Sequence, residues 1–324
     1  MLFPHAGISF GRLPIGDGIL NIDFRSCHFA TGHKRSDVPR PGKTITAPRH
    51  HATTKGSVKL FDHIIASEKS TNPVRITAIA ETGFKDWLGK QSDAHQAWIA
   101  ANGYDGKRGT HLALPGENGT CQAIVLGYVD DAKTLWDFAG LPTALSAGDY
   151  ALADDVASND ALCEKAVLGL YLGGYHFDRY RKSDASTAKR VLFAVPTNDA
   201  AKRAENIARG IGLARDLINV PANDMGPAEL EAATRRLGEE FGAKVTSIIG
   251  DDLTKRNFPA IYAVGKGSDR DPRLIDMHWG DEDAPKVTLV GKGVCFDTGG
   301  YDLKPSSNML LMKKDMGGSA QVLG

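Results

Sequence analysis

Apolar positions along this chain fall into two periods. The β-branched residues at 74–80 and the buried-type run at 121–129 read as strands, and residues 57–61 and 189–195 read the same way. Residues 85–90, 95–102, 134–145 and 160–174 carry helical patterns instead, with Trp87 and Trp98 read as core residues. Strand and helix alternate, which predicts a layered α/β domain.

The pattern restarts after residues 196–199. Ala204, Ile207, Ile211, Ala214 and Ile218 recur at spacings of three and four, which puts them on one helical face. That helix stops at Asn219-Val220-Pro221. Pro227 suits a first helical turn, Leu230, Ala233, Leu237 and Phe241 share a face, and Gly242 supplies the stop. Strands are expected at 244–249, 260–264, 274–279 and 286–290, and a helix at 316–323. The resulting division is an irregular extension over residues 1–55, a smaller α/β domain over 56–198, and a second α/β domain from 199.

Composition narrows the function classes. The 324 residues suit two domains, and 39 Lys+Arg balance 39 Asp+Glu. Zero net charge argues against nucleic acid as a partner, because phosphate binding leaves an excess of basic residues. No run approaches 18 consecutive apolar residues, so no membrane span is expected. Cys27, Cys121, Cys163 and Cys295 lie far apart with no CxxC spacing, which reads as reduced intracellular thiols. Cys295 is either a small buried apolar residue or a nucleophile, and the first reading is preferred. The first 50 residues hold five of the 15 prolines and four of the ten histidines, and no Glu precedes Glu68. They lack a secretory signal pattern. An irregular extension is the reading, with a transit peptide as its alternative.

Glycine is the unusual entry in the composition, at 36 of 324 residues against a typical ~7%. It is densest in residues 286–324, KVTLVGKGVCFDTGGYDLKPSSNMLLMKKDMGGSAQVLG, where seven of 39 are glycine. Gly291-Lys292-Gly293 follows the strand expected at 286–290, at the carboxyl end where α/β ligand sites sit. Lys292, Asp297, Lys304 and Asp315 punctuate the segment. Carboxylates suit hard or borderline divalent ions, and a lysine amine joins them only when burial and a nearby cation keep it neutral. Each of the four also has a plain structural reading, as a solvated turn residue or a helix N-cap. No GxxxxGK[ST] is present, which excludes a P-loop. Asp297-Thr298-Gly299 has no second, facing copy, which argues against an aspartic protease.

This run resembles the signature of the leucyl aminopeptidase (cytosol aminopeptidase) family, dinuclear metalloaminopeptidases. The likeness lies in G-K-G, F-D-[ST]-G-G, K-P and M-K-x-D-M-G-G-[SA]-A, with ARDLINVPANDMGPAEL upstream. It implies a smaller N-terminal α/β domain followed by an α/β/α metallopeptidase catalytic domain, incomplete here. It implies that Lys292, Asp297 and Asp315 are metal ligands, with Asp297 bridging two divalent ions: zinc, manganese or magnesium. Lys304 matches the catalytic lysine beside the scissile carbonyl, and Met312 a position lining the pocket for the substrate's first side chain. The implied activity is removal of N-terminal amino acids, Leu-like ones among them, from peptides by a water activated between the two ions. One ion taking the free α-amino group would explain action at an amino terminus. The resemblance further implies a cytoplasmic homo-hexamer. Family members carry an N-T-D-A-E-G-R-L run downstream, whose Asp and Glu complete the metal sites, and this sequence lacks it. The expectation is therefore a truncated chain. The alternative function is a catalytically incompetent fragment, at most a binding or structural remnant.

Overall fold

The computed structural model describes residues 61–181, 191–298, 300 and 303–324. The expectations for residues 1–55, 57–60 and 189–190 lie outside these. Six strands form one sheet: β1 (Ile64–Ala66), β2 (Val74–Ala80), β3 (His111–Pro115), β4 (Cys121–Tyr128), β5 (Gly148–Leu152) and β6 (Val191–Val195). Their order is β1-β6-β5-β2-β4-β3, parallel throughout except for the antiparallel edge strand β3.

Both faces of this sheet are covered, which is why residues 123–128 of β4 read as an unbroken apolar run. Ile76, Ala78, Ile124 and Leu126 point to one face. There they meet α3 (Thr134–Ala139), α6 (Asp160–Gly173) and the start of α7 (Asp199–Asn219). Ile79 and Val125 point to the other, against Phe84 of α1 (Phe84–Leu88) and Ile99 of α2 (Asp93–Ala101). The short helices α4 (Leu141–Ala144) and α5 (Asp154–Ala157) complete the first face.

Four expectations are corrected. The helix expected at 134–145 is two helices, because Gly140 ends α3 and Pro142 sits in the first turn of α4. Along α7 the buried face runs through Ala204, Ala208 and Gly212, while Ile207 is exposed. Small side chains let α7 approach α6, so the larger isoleucine is displaced to the flank. The strand expected at 260–264 is helical, α10 (Pro259–Gly265), because Pro259 opens a helix at its first turn and a five-residue apolar run fits either element. Trp98 is partly exposed, and its indole donates to the Ala113 carbonyl at 3.0 Å. Strands β3 and β5 escape the sequence pattern, being five residues each with no β-branched residue.

The second half of the described chain builds on α7. Leu217 and Val220 at the end of this helix pack with Leu230 and Ala233 of α8 (Pro227–Phe241), and with Met316 and Ala320. Gly242 ends α8 at φ 69°, the left-handed conformation expected of it. Strands β7 (Lys244–Ile249) and β8 (Arg273–His278) form an antiparallel pair against α8, joined by α9 (Asp252–Lys255) and α10. Both sequence-predicted strands appear here. Two short helices follow, α11 (Ser306–Met309) and α12 (Gly317–Leu323).

A buried carboxylate fastens α8 to the pair. Glu231 accepts from Arg273 Nη1 at 2.5 Å, from Ser247 Oγ at 2.5 Å and from Arg235 Nη2 at 2.6 Å. Burial pulls its pKa upward, but these hydrogen bonds outweigh it and hold the carboxyl down at about 2, against an ordinary 4.5. Its stabilisation is full above pH 4.5 and is lost as pH falls toward 2. Glu231→Gln is expected to cost about 2 kcal/mol at neutral pH, because it removes the charge that pairs the buried end of the network with the mostly covered Arg273 guanidinium. It should also flatten the pH dependence of urea unfolding in that acid window. Parent-like stability at pH 7 would count against the network.

Candidate metal and substrate site

The strand expected at residues 286–290 is absent. Val287, Leu289 and Val290 run without regular structure and are exposed, Val290 at 88%. An apolar strand of this kind needs neighbours on its hydrogen-bonding edges. Among the described residues no strand pairs with it.

Order returns at Gly291. The Ser319 amide donates to the Lys292 carbonyl at 2.9 Å, and the Ser319 hydroxyl to the Gly291 carbonyl at 2.9 Å. These bonds dock the start of α12 onto the Gly-Lys-Gly turn. The docking requires glycine on both sides. A Cβ on Gly291 would lie 2.6 Å from the Gly318 carbonyl oxygen, and one on Gly318 would lie 2.8 Å from the Lys292 nitrogen. Met316, buried beneath, packs the same turn onto the end of α7.

This docking brings two of the expected site residues together. Lys292 Nζ donates to Asp315 Oδ1 at 2.8 Å. The Lys292 side chain is 59% exposed. Asp297 is exposed and has no hydrogen-bond or ion-pair partner among the described residues. Lys304 and Met312 also meet, with Nζ 3.5 Å from the thioether sulfur. Among the described residues Lys304 makes no ion pair.

Cys295 is half-buried against the Leu230 cluster, and burial pushes its thiol up to about 11. It is a packing residue, since a thiolate would be needed for nucleophilic attack. Sequence reasoning missed Ser319 and Lys313. Lys313 Nζ donates to the Asn219 carbonyl at the end of α7, 3.2 Å away. The signal available for Ser319 was the pairing of Gly291 and Gly293 with Gly317 and Gly318.

The donor set of Lys292, Asp297 and Asp315 has the chemistry for a divalent ion, two carboxylates and an amine. Among the described residues no group of three or more His, Cys, Asp or Glu converges on one point.

Comparison with known proteins gives this segment its context. Residues 212–324 match the catalytic domain of the cytosol aminopeptidase family, and residues 74–193 match the N-terminal domain of M17 aminopeptidases. The chain belongs to the cytosol aminopeptidase family. A probable cytosol aminopeptidase of Brucella ovis is 36% identical over 268 residues, covering 77% of this chain and 51% of the relative. The crystal structure of the Coxiella burnetii cytosol aminopeptidase is 44% identical with a TM-score of 0.72, covering 81% of this chain and 56% of that one. The bottromycin maturation enzyme BotP, solved in complex with Mn, is 26% identical with a TM-score of 0.59, covering 78% and 55%. This chain thus spans about half the length of the relatives it matches. Among its described residues, no helix is long and apolar enough to cross a membrane.

Proposed function

We propose that the chain carries part of the active site of a metal-dependent aminopeptidase that removes N-terminal residues, Leu-like ones included, from peptides. The observation that carries this reading is the Lys292–Asp315 pair, 2.8 Å apart on a glycine-docked turn inside the stretch that matches the family's catalytic domain. Lys292, Asp297 and Asp315 would hold the ions, two per site, with manganese, zinc or magnesium suited to this donor set. Bound ions would supply Lewis-acid activation of water and substrate.

The chain's own residues supply the rest. The Lys304 ammonium, uncancelled by any carboxylate among the described residues, stabilises the oxyanion as the scissile carbonyl becomes tetrahedral. Met312, in contact with Lys304 Nζ, offers a soft apolar wall for the substrate's first side chain. We read residues 56–198 as the N-terminal domain and residues from 199 as catalytic, in a cytoplasmic protein that assembles as a homo-hexamer.

A second reading is favoured by the lack of a three-member His, Cys, Asp or Glu cluster among the described residues. By itself the chain holds ions weakly and turns nothing over, until the carboxylates placed downstream by the family resemblance are supplied. Both readings are tested by joining this chain in frame to the second half of the Coxiella burnetii enzyme. The hybrid is expected to hydrolyse Leu-p-nitroanilide with added Mn2+ and to stop on chelation, while the 324-residue chain alone releases no p-nitroaniline. In the hybrid, Asp297→Ala should lose bound metal. An inactive but folded hybrid would defeat the first reading, and chelator-sensitive turnover by the chain alone would defeat the second.

A further inference from the structure

A chain of hydrogen bonds runs from the N-terminal layer to the Asp315 turn. Tyr175 lies just past Gly174, the C-cap of α6, and its hydroxyl donates to Asp216 Oδ1 on α7 at 2.7 Å. Asn219 Nδ2, at the last residue of α7, donates to the same Tyr175 hydroxyl at 3.2 Å. The Asn219 backbone carbonyl accepts from Lys313 Nζ at 3.2 Å. Lys313 lies two residues before Asp315, in a 3-10 turn, and Asp315 pairs with Lys292.

Physical chemistry favours each contact. The last four carbonyls of a helix lack intrahelical partners and carry the negative end of its dipole, so an ammonium there is a good cap. Lys313 fills that role from a distant part of the chain, 94 residues away. Arg215 lies 5.2 Å from the centre of the Tyr175 ring and donates to the Leu172 carbonyl at 3.3 Å, a further contact on the ring. Burial pushes the Asp216 carboxyl up from its ordinary value, yet it is satisfied by the tyrosine hydroxyl. None of these groups touches Lys292, Asp297 or Lys304 in the contacts above.

We propose that Tyr175 and Lys313 are positioning residues, which hold the Asp315 turn in register with Lys292 through Asn219. That this register matters for metal binding rests on the function proposed above. Met316 and Ala320 anchor the turn from beneath by apolar packing, and Lys313 tethers its other end. The apolar anchor resists separation but permits sliding, whereas a charge-assisted hydrogen bond fixes position.

The test uses the full chain carrying Tyr175→Phe, Lys313→Met, both together, or Lys313→Arg. Amide hydrogen exchange is followed at residues 315–319, with β2 as internal control. Each of the first two variants is expected to speed exchange at 315–319 about fivefold, the local stability carried by the one hydrogen bond that each residue makes with Asn219. The double variant should be no faster than the worse single one, because both act through Asn219. Lys313→Arg should restore protection, and β2 should be unchanged in all four. Unchanged exchange at 315–319, or additive effects in the double variant, would overturn the proposal. Mn2+ titrations of the same variants and of Asp315→Asn separate it from the functional reading. Weakened binding in Tyr175→Phe that matches its exchange supports the positioning role. Binding that is indifferent to Asp315→Asn removes Asp315 from the metal set, while the exchange data still decide the positioning role.

Discussion

Gly291→Ala is expected to undock α12 from the Lys292 turn. The added methyl would sit 2.6 Å from both the Gly318 carbonyl oxygen and the Ser319 Cα, and these are backbone atoms that cannot rotate away. Relief requires the two segments to part. Parting breaks the Ser319 amide bond to Lys292 and the Ser319 hydroxyl bond to Gly291. Overpacking strain and two lost hydrogen bonds together amount to roughly 3 kcal/mol. Thermal unfolding should register several degrees of loss, and exchange at residues 315–319 should rise most. Gly267→Ala is the matched control, since its Cβ would meet nothing within 4 Å. If both variants melt with the parent, close backbone approach is not what keeps glycine at 291.

The second large effect concerns turnover in the active hybrid. Lys304→Ala should lower kcat by about 100- to 1,000-fold, the range seen when one oxyanion-stabilising donor is removed. Bound metal should stay near the parent value, because Lys304 Nζ contacts the Met312 sulfur and, among the described residues, pairs with none of the proposed ligands. Lys304→Arg keeps the charge but spreads it over a planar fork, so partial activity is expected. Turnover within threefold of the parent for Lys304→Ala, a loss far smaller than any oxyanion donor's, would remove this lysine from catalysis.

The fold was legible in sequence wherever a residue's environment follows from its own neighbours. β2 appears over the predicted residues, where the β-branched Val74, Ile76, Thr77 and Ile79 favour a strand. α6 and α8 likewise follow their predicted bounds and stops, although Phe241, expected on the packed face of α8, is exposed and Glu231 and Thr234 are buried instead. The sequence misled where partners decide the outcome. The run at 286–290 has strand composition but no partner strand among the described residues, and α10 has strand-like composition but begins with a proline. The site divides in the same way. Lys292 and Asp315 were named from a motif and do meet, yet nothing in the spacing of residues 23 apart announces a 2.8 Å contact. Lys313 was invisible for the opposite reason. Its partner is a backbone carbonyl, which leaves no trace in side-chain pattern.

α7 has a bearing on how this protein can be dismantled. The N-terminal family match ends at residue 193 and the catalytic match begins at 212, so the opening turns of a helix spanning Asp199–Asn219 belong to neither. Ala200, Ala201, Ala204 and Ala208 on those turns fill the core under the six-stranded sheet, while Leu217 at the far end fills the core under the Asp315 turn. A gene cut between the two matches therefore either divides this shared rafter or leaves it with one piece alone. Whichever piece goes without residues 199–211 loses either its ceiling or the inner turns of its own beam, so each must be expressed with its own copy of the whole helix.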